Sequence, residues 1–151
     1  MARPILVKRS QLSADARSRI MRAIRSKNTK PEMVVRKHLF AKGYRYRLHS
    51  KSLPGKPDLV FTSRKKIVLV HGCFWHQHAD SQCPIVGVPA SNKRYWRPKM
   101  KRNLARDKAN LEALTQLGFD VHIVWECELR TNTQIVLARI ERFLNDDSRI
   151  R

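Results

Sequence analysis

The sequence predicts an α/β domain in which helices pack on a mixed β-sheet. Its helical and strand patterns follow one another in the order ααβββαβα, and interspersed helices and strands are typical of layered α/β folds. The chain has 151 residues, of which 42% are hydrophobic, so it is long enough for a single domain with a buried core. The pattern over residues 120–125 is apolar enough for an internal strand of the sheet.

The N-terminal segment, residues 1–12, is basic, and we expect a flexible arm ahead of a single domain spanning residues 13–151. Ser13 can accept a hydrogen bond from a free backbone N–H and so cap a helix over residues 14–25. Apolar residues lie on one face of this helix and arginines on the other. It is therefore either a solvated surface helix or an element that lies against a DNA groove.

The sequence TKPE at residues 29–32 predicts the start of a second helix. Thr29 can accept from a free N–H of the first turn, and Glu32 can reach back, as in a capping box. The helix is expected to end near Lys42, because Gly43 tolerates the left-handed conformation that terminates helices. Glu32 is therefore a helix cap or a catalytic acid, and its spacing from Thr29 favours the cap.

Three strand patterns follow this helix. Residues 44–49 alternate aromatic or apolar with basic side chains, and residues 58–61 and 66–70 flank a turn. The last two strands should form a hairpin. Such a hairpin places Asp58, at the start of one strand, near His71, at the end of the other.

A long helix is predicted after a Pro-containing loop. The loop covers residues 84–96 and the helix covers residues 97–117, ending at Gly118. Basic residues occupy one face of this helix. Its buried stripe is expected to consist of Leu104, Leu111, Leu114 and Leu117.

The fourth strand, residues 120–125, delivers Cys127 just past its end. A last helix is then capped by Thr131 or Thr133 and extends to Leu144. Its apolar side chains, which are expected to face the core, are Ile135, Val136, Ile140 and Phe143.

The charge of the chain indicates a polyanionic partner. Lys and Arg number 32 against 12 Asp and Glu, a formal net charge of +20. The basic residues are clustered: residues 1–50 contain 14 of them with two acids, and residues 93–108 contain eight with one acid. Such a field attracts nucleic acid. An acidic membrane surface fits less well, because no long helix combines an apolar face with a basic rim.

The sequence also indicates the cell compartment. No apolar run approaches the roughly 20 residues of a membrane helix, and the N-terminus lacks the apolar region of a signal peptide. We therefore expect a cytoplasmic protein. In that compartment, a count of three cysteines favours metal ligands or free thiols over a disulfide framework.

Cysteine and histidine residues are concentrated in the stretch VLVHGCFWHQHADSQC, residues 68–83. Cys73, His78 and Cys83 are separated by four residues each, and Cys127 could join them from the fourth strand. Three thiolates and one imidazole suit a tetrahedral structural zinc. Two alternatives remain open: His76 could replace His78 as the ligand, or the cysteines could be unrelated buried thiols.

Asp58, His71 and His76 form a second candidate constellation. A carboxylate at a strand end can bind Mg²⁺, and a histidine can take up or release a proton near neutral pH. One metal ion and one base are enough to activate water against a phosphodiester. The alternative is that Asp58 caps a turn and that the histidines are exposed.

Three aromatic residues accompany these polar clusters. Phe74 and Trp75 lie within the histidine-rich stretch, and Trp96 follows a basic loop. Planar side chains beside a cationic surface can stack on nucleic-acid bases or wedge between them. An apolar cover over the metal site is the alternative for one of the three.

These motifs resemble those of the very short patch repair (Vsr) DNA mismatch endonucleases. The resemblance covers most of the chain. The segments that carry it are MRAIRSKNTKPE (21–32), SLPGKPDLVF (52–61), HGCFWHQH (71–78), the VPA…YW segment (88–96) and IVWECEL (123–129). The combination of HGCFWH with a downstream WEC is highly specific to that family.

The resemblance implies a restriction-endonuclease-like α/β core with a structural zinc. It also implies Mg²⁺-dependent cutting of one DNA strand 5′ to the T of a T·G mismatch, which arises when 5-methylcytosine deaminates. The substrate would be double-stranded DNA carrying that mismatch. The repair pathway would involve downstream repair proteins, none of which the sequence identifies. We expect a monomer, because a single-strand nick needs one active site.

Carried over by position, Asp58 would be the metal-binding carboxylate, His76 the residue that activates the attacking water and His71 its partner. Glu32 would act as an acid on the metal-bound water molecules. The resemblance therefore favours a catalytic role for Glu32 over the helix cap, without excluding a cap. The implied zinc ligands are Cys73, His78, Cys83 and Cys127. The implied wedge that opens the base stack consists of Phe74, Trp75 and Trp96, with Met21 approaching from the minor-groove side.

The sequence departs from general nuclease patterns in two places. Where a second acid and a lysine would follow the first aspartate, Val70-His71-Gly72 stands instead, and Val70 can offer the metal only its backbone carbonyl. The spacing from His78 to Cys83 is also longer than expected for the family, so the loop between these two residues differs in length from the family pattern.

Two other functions remain as alternatives. The first is a zinc-stabilised DNA-binding module without catalysis, which would need neither Asp58 nor His76. The second is a related nuclease that acts at other lesions or sites. Cleavage of matched and mismatched duplexes distinguishes these possibilities.

Overall fold

The computed structural model describes residues 13–16, 27–78, 83 and 92–148. The expected basic arm and Met21 lie outside this part of the chain. Residues 14–16 are helical, and the rest of the predicted first helix also lies outside the described residues.

The sheet has four strands in the order β1-β2-β3-β4. They are β1 (Arg47–Leu48), β2 (Leu59–Phe61), β3 (Lys66–His71) and β4 (Asp120–Trp125). The first two pairings are antiparallel, and β3 pairs with β4 in parallel. The predicted mixed sheet and the β2–β3 hairpin are therefore confirmed, although β1 is shorter than the predicted strand over residues 44–49. Strand β4 lies at the edge of the described sheet and is mostly half-buried, so the prediction of an internal strand over residues 120–125 is wrong.

Five helices flank the sheet in the described residues. They are α1 (Lys30–Ala41), α2 (Cys73–His76), α3 (Lys93–Gln116), α4 (Glu126–Thr131) and α5 (Thr133–Asn145). Helix α1 begins as predicted, because the Thr29 side chain accepts a hydrogen bond from Glu32 N. It ends before Gly43, whose φ of +93° is the left-handed conformation that the sequence predicts there.

The core lies on both faces of the sheet. Successive strand residues point to opposite faces, so Leu59 and Phe61 pack on one side and Val60 on the other. The first face is covered by α1 and α5, and its buried side chains include Val35, Leu39, Val136, Leu137, Ile140 and Leu144. The second face is covered by α3 through Leu114, beside Phe119 and Ile67. The fold is thus a three-layer α/β arrangement.

Helix α3 starts at Lys93, so the prediction of a loop up to residue 96 is wrong there. The prediction started the helix at Arg97 because Pro98 usually occupies a first turn. In the structure Pro98 lies inside the helix. The ring of Trp96 packs 5.3 Å from that of Phe74, and this contact accounts for the extra N-terminal turn.

The predicted leucine stripe of α3 is also partly wrong. Leu104 and Leu117 are 45% and 53% exposed, whereas Leu114 is buried. The N-terminal half of the helix buries Met100 and Asn103 instead, because this half packs on α2 rather than on the sheet.

Two further differences concern the C-terminal end of the chain. Residues 126–131 form a separate short helix, α4, that was not predicted. Ile135 is 62% exposed, contrary to the expected core face of α5, whereas Val136 and Ile140 are buried. No helix in the described residues is both long and apolar enough to cross a membrane.

Candidate active site and metal centre

The candidate site residues meet at one end of the sheet. Strands β3 and β4 are parallel and end side by side, with His71 opposite Trp125. Strand β2 runs antiparallel to β3, so Asp58, which precedes β2, lies at the same end. The hairpin therefore brings Asp58 to the end of β3, as the sequence predicts.

Asp58 is held by a backbone hydrogen bond. Val70 N donates to Asp58 Oδ2 over 2.8 Å. Burial raises the pKa of Asp58 to about 6, and the hydrogen bond from Val70 opposes this rise. The neighbouring Glu32 raises the pKa further. A cation bound here would favour the ionised carboxylate that this environment otherwise disfavours.

Glu32 points inward from the first turn of α1 and is 2% exposed. Its Oε2 accepts a hydrogen bond from Asn28 N at 3.0 Å, so the side chain does satisfy a backbone group before the helix. Its Oε1 lies 3.6 Å from Arg36 Nη1. Glu32 thus combines a helix-capping contact with a position beside Asp58, and the two sequence interpretations are compatible in one side chain.

His49 is a site residue that the sequence analysis missed. Its Nε2 lies 2.8 Å from Glu32 Oε1 and 3.9 Å from Asp58 Oδ1. The ligand atoms of Glu32, His49 and Asp58 all lie within 4.8 Å of one another, close enough to hold a metal ion. The signal that could have revealed His49 is its place after β1, whose end meets the start of β2 in an antiparallel pair.

His71 and His76 stack on each other, with ring centroids 3.8 Å apart and planes 9° from parallel. Burial lowers the pKa of His71 to about 3, and the charge of His76 lowers it further, while Asp107 opposes the shift. His71 is therefore neutral near pH 7. The histidines are not simply exposed side chains beside a turn, because His71 is buried and His76 is half-buried.

Asp107 is a second residue that the sequence analysis did not select. Its Oδ2 lies 2.6 Å from His76 Nδ1. A carboxylate can only accept, so the Nδ1 proton of His76 points at Asp107 and the Nε2 lone pair is free for another partner. Asp107 is the single acid in the basic segment 93–108, and this isolation is the feature of the sequence that could have identified it as a site residue.

The four predicted zinc ligands come together. The ligand atoms of Cys73, His78, Cys83 and Cys127 all lie within 4.8 Å of one another, and Cys127 Sγ is 3.5 Å from His78 Nε2. Ligands of a tetrahedral zinc would be roughly 3 to 4 Å apart, so this donor set fits the ion. His76, the alternative ligand, instead contacts Asp107.

The environment of the thiols also suits a metal. Burial raises the pKa of Cys73 to about 12 and raises the pKa of Cys127 as well. Thiols in such surroundings are protonated at neutral pH in the absence of a cation, and a bound metal would convert them to thiolates. The arrangement therefore can hold a metal ion through three sulfurs and one nitrogen.

Trp125 connects the cysteine cluster to the histidine pair. Its ring stacks on His78 at 4.3 Å, and it meets His71 edge-on at 5.1 Å. The same residue ends β4 immediately before α4, which carries Cys127. An ion held by His78 and Cys127 would therefore also fix the position of the Trp125 ring, against which His71 packs.

An aromatic cluster lies beside these sites on α2 and α3. Phe74 contacts both tryptophans, with ring centroids 4.9 Å from Trp75 and 5.3 Å from Trp96. The Lys99 ammonium lies 5.4 Å from each of the two indole rings. Phe74 is 8% exposed and packs against both indole rings.

Comparisons with known proteins identify the family of the chain. The family model described as DNA mismatch endonuclease Vsr matches residues 10–82. The type II nicking enzyme V.XorIIP of Xanthomonas oryzae is 50% identical over 135 residues, which cover 89% of this chain and 96% of that protein. The chain belongs to the Vsr endonuclease family. It is therefore a DNA endonuclease, as the resemblance of its motifs implies.

Other Vsr relatives extend the comparison. The DNA mismatch endonuclease Vsr of Escherichia coli is 40% identical over 114 residues, covering 76% of this chain and 71% of that protein. The type II nicking enzyme V.NmeAIP of Neisseria meningitidis is 44% identical over 130 residues, which cover 86% of this chain and 90% of that protein. The Vsr family assignment thus rests on relatives that are 40–50% identical to this chain and are matched over 71–96% of their own length.

Proposed function

We propose that this Vsr-family enzyme nicks one strand of duplex DNA 5′ to the T of a T·G mismatch and so starts very short patch repair. The observation that carries the proposal is the convergence of a carboxylate pair, a histidine–aspartate pair and an aromatic cluster at one end of the sheet. The E. coli relative is named a DNA mismatch endonuclease, which supports the mismatch as the substrate.

Asp58 and the carbonyl of Val70 would hold a catalytic Mg²⁺, and Glu32 would bind its water molecules. The ion would supply charge stabilisation at the scissile phosphate and lower the pKa of a water molecule. The convergence of Glu32 and Asp58 supports this assignment, because carboxylate oxygens are the ligands that Mg²⁺ prefers.

His76 is the base in this proposal. The Asp107 carboxylate orients the ring through Nδ1, which leaves Nε2 to accept a proton from the attacking water. His71 is neutral and stacks on His76, so it fixes the position of the base without competing with it for a proton. In the proposed hydrolysis the water oxygen would bond to phosphorus and one P–O ester bond would break. The water proton would pass to His76 Nε2, and the leaving oxygen would take up a proton from solvent water.

The Cys73, His78, Cys83 and Cys127 set would bind a structural zinc. All four ligands come from the protein, so no open coordination position remains for chemistry. The ion would tie α2 to α4 across the end of the sheet. The same geometry is compatible with a restriction-endonuclease-like core, in which the sheet end carries the catalytic carboxylate.

The aromatic cluster would recognise the mismatch by inserting into the base stack. Unstacking costs less at a mismatched pair than at a matched one, so a wedge favours mismatched duplex. Trp75 and Trp96 are half-buried, whereas Phe74 is buried and contacts both indole rings. Met21, which lies outside the described residues, would add a contact from the minor groove.

A nicking enzyme with another preferred site is the second candidate. Several relatives carry the name type II nicking enzyme, which does not mention a mismatch. Such an enzyme would use the same catalytic residues with a different preference for the flanking sequence. We expect a monomer in either case, because a nick needs one active site.

The deciding experiment compares end-labelled duplexes that differ at a single base pair. One duplex carries T·G, and matched controls carry T·A or C·G in the same sequence. Each is incubated with Mg²⁺ and separately with EDTA. We expect a nick 5′ to the mismatched T of the T·G duplex in the presence of Mg²⁺ and no nick in the presence of EDTA. Equal nicking of matched and mismatched duplexes would favour the second candidate, and no cleavage with any divalent metal would exclude both.

A further inference from the structure

Two buried atoms in the acidic pocket face each other without a hydrogen bond. Glu32 Oε1 and His49 Nε2 are 2.8 Å apart, yet neither has an aligned hydrogen-bond partner in the described part of the chain. Their side chains are 2% and 12% exposed. Buried polar atoms are nearly always satisfied in folded proteins. Glu32 Oε1 otherwise has only the Arg36 guanidinium at 3.6 Å, which is too far for a hydrogen bond, so a bound partner between Glu32 and His49 is expected.

The position of His49 is fixed by the backbone of Asp58. His49 N donates to Asp58 O over 3.2 Å, and His49 adopts the left-handed conformation with φ of +45°. That conformation is uncommon for a residue other than glycine and is often found at functional sites. It directs the imidazole between the two carboxylates, where Nε2 is 3.9 Å from Asp58 Oδ1.

We propose that His49 Nε2 is a direct ligand of the cation held by Asp58 and Glu32. The proposal deepens the proposed function and rests on it for the presence of a catalytic cation. The proposal replaces the water-mediated role of Glu32 with a direct bond to the ion, because three donor atoms, two oxygens and one nitrogen, lie within 4.8 Å of one another. An ion bonded to both Glu32 Oε1 and His49 Nε2 gives each buried atom a partner. A direct contact between the two side chains does not, because they are not aligned for a hydrogen bond.

The nitrogen donor has a consequence for metal choice. Mg²⁺ prefers an all-oxygen octahedral shell, whereas divalent transition metals accept imidazole readily. The nitrogen donor therefore favours a transition-metal ion over Mg²⁺, and Mn²⁺, which also accepts the carboxylate oxygens, serves as the paramagnetic probe. We expect the intact protein to bind Mn²⁺ more tightly than Mg²⁺ and His49→Gln to narrow that difference.

The competing interpretation is that His49 is only an ion-pair partner that neutralises Glu32. In that case the imidazole does not touch the cation, and its removal leaves the metal's coordination unchanged. The two interpretations differ in whether nitrogen is bonded to the metal, and this can be measured directly.

The test uses the full-length, zinc-loaded protein with stoichiometric Mn²⁺ and pulsed electron paramagnetic resonance. We expect imidazole nitrogen coupling to Mn²⁺ in the wild type and its loss in His49→Gln. The coupling should persist in His71→Gln, which removes a neighbouring imidazole, and in His38→Gln, whose ring contacts Glu141 instead. Calorimetric titration should show Mn²⁺ affinity reduced at least about tenfold in His49→Gln.

Coupling that survives in His49→Gln, or that is absent from the wild type, would overturn the proposal. If His49→Gln fails to fold, His49→Asn and a crystal structure of Mn²⁺-soaked wild-type protein replace it. An anomalous Mn²⁺ peak within bonding distance of His49 Nε2 supports the assignment, and a peak beyond that distance refutes it. These readouts do not depend on T·G cleavage, so failure of the proposed function is detected separately.

Discussion

His76 Nδ1 lies 2.6 Å from Asp107 Oδ2, a contact between residues 31 positions apart that joins α2 to α3. Both side chains are partly shielded, with 26% and 20% of their surfaces exposed. The contact fixes the tautomer of the proposed base and the direction of its free nitrogen. The long basic helix thus positions the base as well as carrying positive charge.

Asp107→Asn should reduce the nicking rate by about 100-fold or more, because an amide at this position no longer holds His76 as the required tautomer. DNA affinity should be unchanged, since the carboxylate contacts only the imidazole in the proposal. Single-turnover cleavage and a binding titration measure the two effects. Glu112→Gln, an exposed acid on the same helix, is the control. A cleavage rate for Asp107→Asn equal to that control would contradict the positioning role.

Asp58→Asn should abolish detectable nicking but leave binding of the mismatched duplex intact. The amide preserves the size of the side chain and can still accept from Val70 N, whereas it loses the negative charge that holds the cation. Gel-based cleavage and fluorescence anisotropy report the two properties. Asp147→Asn, at an exposed position beyond α5, controls for the loss of one charge. Wild-type nicking by Asp58→Asn would remove this residue from the active site.

Cys127→Ser should lose the bound zinc and lower the melting temperature. Loss of the metal is expected to cost about 2 kcal/mol or more, which corresponds to a shift of roughly 4–8 °C for a domain of this size. Metal analysis and thermal unfolding measure both. Thr131→Ser, which keeps its hydroxyl bond to Cys127 O on the same helix, is the control. Full zinc content in Cys127→Ser would show that this thiol is not a ligand.

Elements with strong local signals were predictable from the sequence. Thr29 caps α1 and Gly43 follows its end, because capping and left-handed backbone depend on neighbouring residues alone. The bounds of β2, β3 and β4 follow from their apolar patterns to within a residue. The donor set of the cysteine cluster was also accessible, because it uses all three cysteines of the chain.

The features that the sequence did not predict depend on contacts between distant parts of the chain. His49 and Asp107 lack a local motif, and their roles emerge only when Glu32 and His76 are brought beside them. The early start of α3 likewise results from tertiary packing of Trp96, which no pattern in residues 84–96 reveals. The spacing of apolar residues along α3 does not indicate which half of the helix faces the sheet and which half faces α2.

Trp96→Ala should weaken binding to T·G duplex and reduce discrimination against matched DNA. Stacking of an aromatic side chain on a base contributes about 1–3 kcal/mol, so affinity should fall by roughly 5- to 150-fold. Competition binding with mismatched and matched duplexes measures the change. Phe40→Ala, which removes an aromatic that is 56% exposed on α1, should have no effect. Equal losses in the two variants would argue against a wedge formed by Trp96.

Binding should weaken steeply with salt, and α3 should account for part of this dependence. Its exposed cations include Arg97, Arg102 and Arg106, on the helix that also carries Trp96 and Asp107. Each phosphate contact contributes about −0.9 to the slope of log K against log salt concentration.

Arg102→Gln should therefore make that slope shallower by about one, with a similar loss for matched and mismatched DNA, because phosphate contacts carry no base information. Lys37→Gln, an equally exposed cation on α1, should leave the slope unchanged, since α1 covers the opposite face of the sheet. Affinity measured at several salt concentrations gives both slopes. An unchanged slope for Arg102→Gln, or an equal change for Lys37→Gln, would mean that DNA does not lie along α3.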